Sequence, residues 1–146
     1  MSDFTIPMQQ VNIFFETYAK ALERYDTKGM AFSYNIPCTM ISDENTSLFN
    51  DISKLEGFFN LGMGFYRQFG IAHVRAEVWS RRILTQHIIM VKVNWYYMDV
   101  FKNPIYDCEY HYVLKQDKHK QWKIILSVSV NEKEKIEEWQ AVRLKG

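Results

Sequence analysis

The chain reads as an α+β protein, with helices first and an antiparallel sheet after them. From Ile71 to Val130 four long strand-like runs follow one another with only short turns between them. Ahead of them, apolar residues recur at helical spacing in segments separated by one small hairpin. A block of helices followed by a block of strands segregates into layers, whereas βαβ units would alternate.

Taken in order, Val11, Phe14, Phe15, Tyr18, Leu22 and Tyr25 keep the i, i+3, i+4, i+7 spacing of one helix face, and Glu16, Lys20, Glu23 and Arg24 fall opposite. The spacing predicts an amphipathic helix over Gln9 to Tyr25. Asp26-Thr27 offers an N-cap for a shorter helix through about Tyr34, weakened by Gly29 and ended by Pro37. Cys38 to Ile41 and Thr46 to Phe49 flank a polar turn and read as a hairpin. Ser53 and Glu56 fit a capping box for a helix that Gly70 closes. Gly62 and Gly64 inside that helix are read as close packing against the sheet.

The strands alternate with period two. Val74, Ala76 and Val78 lead the first; Ile89, Val91, Val93 and Trp95 the second; Cys108, Tyr110, Tyr112 and Leu114 the third. In the fourth, Trp122, Ile124, Leu126, Val128 and Val130 share a face. One sheet face is therefore apolar, to be covered by helices. The other is mixed, with Trp79, Met90, Tyr96 and Ile125 among charges, and reads as a homodimer interface or a solvated surface. A charged helix, Glu132 to Lys145, ends the chain with Ile136, Trp139 and Val142 on one side. Its Trp139 needs a partner surface.

At 146 residues, 47% hydrophobic and 24% charged, the expectation is one domain spanning 1–146 with one core. A formal charge of +1 and scattered basic residues argue against nucleic acid as a partner. No run approaches the roughly 20 apolar residues of a membrane span. Met1-Ser2-Asp3-Phe4 lacks the pattern of an export signal, which places the protein in the cytoplasm with Cys38 and Cys108 as reduced thiols. Four scattered histidines and no C-x-x-C pair give no metal site, and no cofactor is expected.

The first helix Phe14 to Leu22 running into Tyr25-Asp26, the hairpin from Cys38, the helix ending at Gly70, the strand entry Ile71 to Val78 and Val91-Lys-Val-Asn-Trp95 come in a specific order. That order resembles the nuclear transport factor 2-like superfamily, which includes the SnoaL-like cyclases and ketosteroid isomerase. The resemblance covers about residues 8 to 131. It implies a cone-shaped, curved, mainly antiparallel sheet wrapped around the N-terminal helices, with the C-terminal helix as an extra. It also implies a pocket for a small hydrophobic or aromatic molecule. In isomerase-type members a helix tyrosine and a late-strand acid donate to an oxyanion while an aspartate near the hairpin moves the proton. Tyr18 matches the tyrosine. The aspartate falls nearest Ser42, one residue from Asp43, and the late-strand acid falls near Tyr110.

The candidate catalytic residues are Tyr18, Asp43 and His73. Against these stand plainer readings, Tyr18 as core and Asp43 as a turn residue. Tyr18, Tyr34, Phe58, Trp95, Cys108, Tyr110 and Tyr112 are expected to line the pocket, with the Cys108 thiol inert. His111 and Glu109 read as a surface pair. The favoured function is binding of a small hydrophobic ligand without the full isomerase set. The alternatives are a proton-transfer enzyme acting on a carbonyl compound, and a protein-interaction module.

Overall fold

Two of the helices, the second and the third, begin at an aspartate whose carboxylate caps the first turn. The computed structural model describes residues 8–145, so the Met1 to Phe4 stretch lies outside it. Helix α1 (Met8–Glu23) buries Val11, Phe15, Tyr18 and Leu22, the predicted stripe. Tyr25, at φ 55°, turns the chain out of it. Helix α2 (Thr27–Phe32) starts at Asp26, whose carboxylate accepts from Gly29 N at 3.0 Å. A Cβ on Gly29 would lie 2.5 Å from that carboxylate, so a side chain here would push the capping group aside. At the other end Lys123 Nζ donates to Phe32 O at 2.5 Å.

Strand β1 (Tyr34–Ile41) begins directly after α2, with Pro37 inside it. The helix therefore stops short of Tyr34, and the first hairpin strand is longer than expected. A four-residue turn joins it to β2 (Thr46–Phe49), closed by Ser42 N to Asn45 O at 2.8 Å. Helix α3 (Ile52–Phe69) is capped by Asp51, which accepts from Ser53 N at 2.7 Å, so the predicted Ser53 box lies inside the helix. Gly70 closes it at φ 79°, as expected. Gly62 and Gly64 are not explained by tight packing, since a Cβ on either would meet nothing within 4 Å.

Strands β3 (His73–Thr85), β4 (Ile88–Met98), β5 (Pro104–Gln116) and β6 (Trp122–Ser129) follow, then helix α4 (Glu132–Lys145). The six strands form one sheet in the order β2-β1-β6-β5-β4-β3, antiparallel except for the parallel β1–β6 joint. The cone expected from the resemblance is not formed. Among the described residues the sheet is open: β2 pairs only with β1, β3 only with β4, and no ladder joins those two edges. Edge strands of 4 and 13 residues are poorly matched for pairing. The charges on β3, such as Arg75 and Glu77, are of the kind that protect an edge from further pairing.

The inner face carries Val91, Val93, Trp95, Cys108 and Tyr112 against Phe15, Leu55 and Phe59 of the helices. On the mixed face His111 Nε2 lies 2.6 Å from Glu109 Oε2, the predicted pair. Asn94 is buried on that face because its amide donates to Asp107 at 3.0 Å.

Strand β6 departs from its predicted alternation. Leu114 pairs with Ile124 but Val113 with Leu126, leaving Ile125 as an extra, bulged residue. The inward set thus changes parity, from Ile124 to Ser127 opposite Tyr112 and Ser129 opposite Tyr110. Leu126 and Val128 face the other way, contrary to the sequence reading. The partner of Trp139 lies within the same chain: its ring packs edge-on to Phe69 at 5.3 Å and against Tyr106 at 6.5 Å.

Candidate functional site

Between the inner sheet face, α3, the β1–β2 turn and the start of α4 lies a cavity of about 890 Å³. That volume suits a drug-sized organic molecule. Its walls are rich in aromatic rings, and among its polar side chains, which include Ser127, Ser129 and Gln140, two hydrogen-bonded groups stand out.

The first group is gathered by α4. Asn131 fixes the entry to this helix by accepting from Glu109 N at 2.8 Å. Glu132, the first helical residue, then turns its carboxylate onto the ends of three tyrosines. Tyr66 Oη donates to Oε2 at 2.5 Å, Tyr106 Oη donates to the same oxygen at 2.8 Å, and Tyr110 Oη donates to Oε1. Tyr97 Oη lies 3.2 Å from Tyr66 Oη. Because Tyr66 has given its single proton to Glu132, Tyr97 is the donor of that pair. Burial first, and the Glu132 charge second, push the phenols of Tyr66, Tyr97, Tyr106 and Tyr110 up from their ordinary range. These bonds also dock α4, joining it to α3 through Tyr66 and to β5 through Tyr106 and Tyr110.

The second group sits among the most buried residues. Tyr18 and Tyr34 share a hydrogen bond at 2.9 Å, and Trp95 Nε1 donates to Tyr112 Oη at 2.8 Å. Here the indole is the donor, so the Tyr112 hydroxyl keeps its own proton for another acceptor. Burial dominates again, pushing the phenols of Tyr18, Tyr34 and Tyr112 up. Tyr110 links the two groups, its ring stacked on Tyr112 at 5.7 Å and 14°.

Of the residues singled out from sequence, Tyr18, Tyr34, Phe58, Trp95, Tyr110 and Tyr112 line this cavity. Cys108 is fully buried behind it, outside the lining, its thiol pushed up by burial. Asp43 is exposed in the β1–β2 turn, and its neighbours Ser42 and Glu44 reach the cavity instead. His73 opens β3 beside Glu23, its Nδ1 4.0 Å from Oε2, and is not part of the lining. Asp43, Glu44 and Glu134 bring carboxylates together on the surface, all three exposed.

Sequence reasoning passed over Glu132, Tyr66, Tyr97 and Tyr106 as a group. Extending the strand alternation by two residues, from Trp95 to Tyr97 and from Cys108 back to Tyr106, would have put both tyrosines on the inner face. For Glu132 the signal was faint, since an acid in the first turn of a charged helix is ordinary macrodipole chemistry.

Similarity to solved structures follows the fold. A domain of unknown function with a cystatin-like fold from Nostoc punctiforme superposes with a TM-score of 0.70 at 14% identity, covering 88% of this chain and 80% of that one. An NTF-2 like protein of unknown function from Shewanella oneidensis gives 0.68 at 13% identity, covering 86% and 99%. A ketosteroid isomerase-like protein from Erwinia carotovora gives 0.61 at 9% identity, covering 81% and 90%. At such identities the likeness is one of fold. No curated protein matches the sequence. The family described as NTF2-like protein (DUF6841) matches residues 9–132, from the first helix to the start of the last, and the chain belongs to that family.

Proposed function

We propose that this protein binds a small, largely aromatic or apolar molecule in the tyrosine-lined cavity. The carrying observation is the cavity itself: about 890 Å³ walled by rings whose hydroxyls are fixed by mutual hydrogen bonds. Such a wall gives area burial and ring stacking to a ligand while its few polar tips set orientation. Gly62 supports this reading, because it lines the cavity and leaves open the space a side chain would occupy.

The proton-transfer reading needs Asp43 or His73 over the substrate. Asp43 lies exposed in its turn and His73 lies beside Glu23, which favours binding over isomerase-type catalysis. Binding is tested by titrating a neutral naphthalene probe, 2-(1-naphthyl)ethanol, and following quenching of tryptophan emission. Saturable binding is expected in the wild type and its weakening in Gly62→Phe, whose ring projects into the cavity while circular dichroism stays unchanged. Absence of saturable binding in the wild type, or equal binding in Gly62→Phe, would sink the proposal.

A further inference from the structure

We infer that the ligand carries a protonated amine seated against Glu132, an inference that rests on the binding role proposed above. A count of donors and acceptors leads there. Ionised, Glu132 offers about four lone-pair positions. Tyr66 and Tyr106 fill those of Oε2, and Tyr110 fills one on Oε1, so Oε1 retains a free acceptor position. The tyrosines have spent their protons: Tyr66 and Tyr110 on Glu132, and Tyr97 on Tyr66. What they still present is oxygen lone pairs. This end of the cavity therefore has acceptors and no spare donor among these four residues, the complement of an ammonium group with its three N–H donors.

Charge points the same way. Among the described residues lining the cavity, the charged ones are Glu44, Glu132 and Lys133. Lys133 Nζ lies 3.9 Å from Glu44 Oε2, which leaves Glu132 as the uncompensated charge. An ammonium would neutralise it. A carboxylate seated at Glu132 would meet like charge, with the protons of Tyr66, Tyr97 and Tyr110 already committed. One carboxylate among neutral phenols is a thin ligand set for a hard metal ion, which takes six or more oxygens. The Tyr112 hydroxyl, with its proton free, gives the other end of the ligand a donor. The class is thus an aromatic amine whose far end is apolar or carries an acceptor.

The test uses three probes of one shape: 2-(1-naphthyl)ethylamine, 2-(1-naphthyl)ethanol and 1-naphthylacetic acid, titrated into the full chain near neutral pH. A charge-assisted bond in place of a neutral one implies that the amine binds about ten-fold tighter than the alcohol or better, with the acid weakest. In Glu132→Gln the amine and the alcohol should converge. In Lys133→Ala, which frees the Glu44 charge, the amine should tighten further. A purely structural role for Glu132, docking α4, would give no preference among the probes in the wild type. Amine and alcohol binding within two-fold of each other, or a preference surviving Glu132→Gln, would overturn the amine inference and leave the cavity reading standing. If no probe binds the wild type, both fall. Should Glu132→Gln fold poorly, the wild-type ranking and Lys133→Ala still decide the matter.

Discussion

The two polar groups of the cavity are built from the same residue, tyrosine, and do opposite things with it. Around Glu132 the phenols of Tyr66, Tyr106 and Tyr110 converge on one carboxylate, and their protons are committed. Around Tyr112 the hydroxyl accepts from the Trp95 indole and keeps its proton, while Tyr18 and Tyr34 share one bond. A phenol is both donor and acceptor, so its neighbour decides which role it offers to a ligand. The first group also ties three elements together through a charge. The second is held by ring packing, with Trp95 edge-on to Tyr18 at 5.6 Å and to Phe15 at 6.3 Å.

Raising pH should strain both groups at once, and this is the largest expected effect. Seven phenols (Tyr18, Tyr34, Tyr66, Tyr97, Tyr106, Tyr110 and Tyr112) are raised above 10.0, mainly by burial. Above that value the unfolded chain releases protons that the folded chain keeps. Unfolding then gains with pH, and stability present below pH 10 is lost as pH climbs beyond it. Urea midpoints measured between about pH 8 and about pH 11 should fall steeply in the upper part of that range. A flat profile would mean that the phenols ionise in place and that neither group is sealed.

Within the packed group, Trp95→Ala removes a side chain that is 1% exposed and should cost about 3–5 kcal/mol in chemical denaturation. A cost near that of a surface change would place the packing weight elsewhere. A smaller contrast separates the two groups directly. Glu132→Ala deprives three phenols of their acceptor and should cost about 1–3 kcal/mol. Tyr18→Phe removes one neutral bond to Tyr34 and should cost about 0.5–1.5 kcal/mol. If Tyr18→Phe proves the costlier, the carboxylate is a weaker tie for α4 than its three partners suggest.

The Tyr18 group was legible in the sequence and the Glu132 group was not, for physical reasons. Tyr18, Trp95 and Tyr112 lie on regular helix and strand patterns whose period points them inward. Glu132 reaches the cavity only because the chain turns at Asn131 and lays α4 across Tyr106 and Tyr110, and no local pattern encodes that turn. The order of elements was readable from periodicity, and so was the resemblance to the family. The shape of the sheet was not: alternation says which face is buried but not whether β2 and β3 meet. The β1 start at Tyr34 was hidden by Pro37, read as a helix stop when it sits within a strand.

The bulge at Ile125 makes part of the cavity wall a matter of counting. Ser127 and Ser129 face inward because one residue is looped out ahead of them. Drawing Ile125 into a regular ladder opposite Val113 would turn both serines outward and bring Leu126 and Val128 opposite Tyr112 and Tyr110. The wall would change from hydroxyl-bearing to aliphatic with none of its own residues replaced. Whether Ile125 is looped out or paired is a larger step in ligand preference than most substitutions within the wall, and the register of this strand is a lever for redesigning what the cavity accepts.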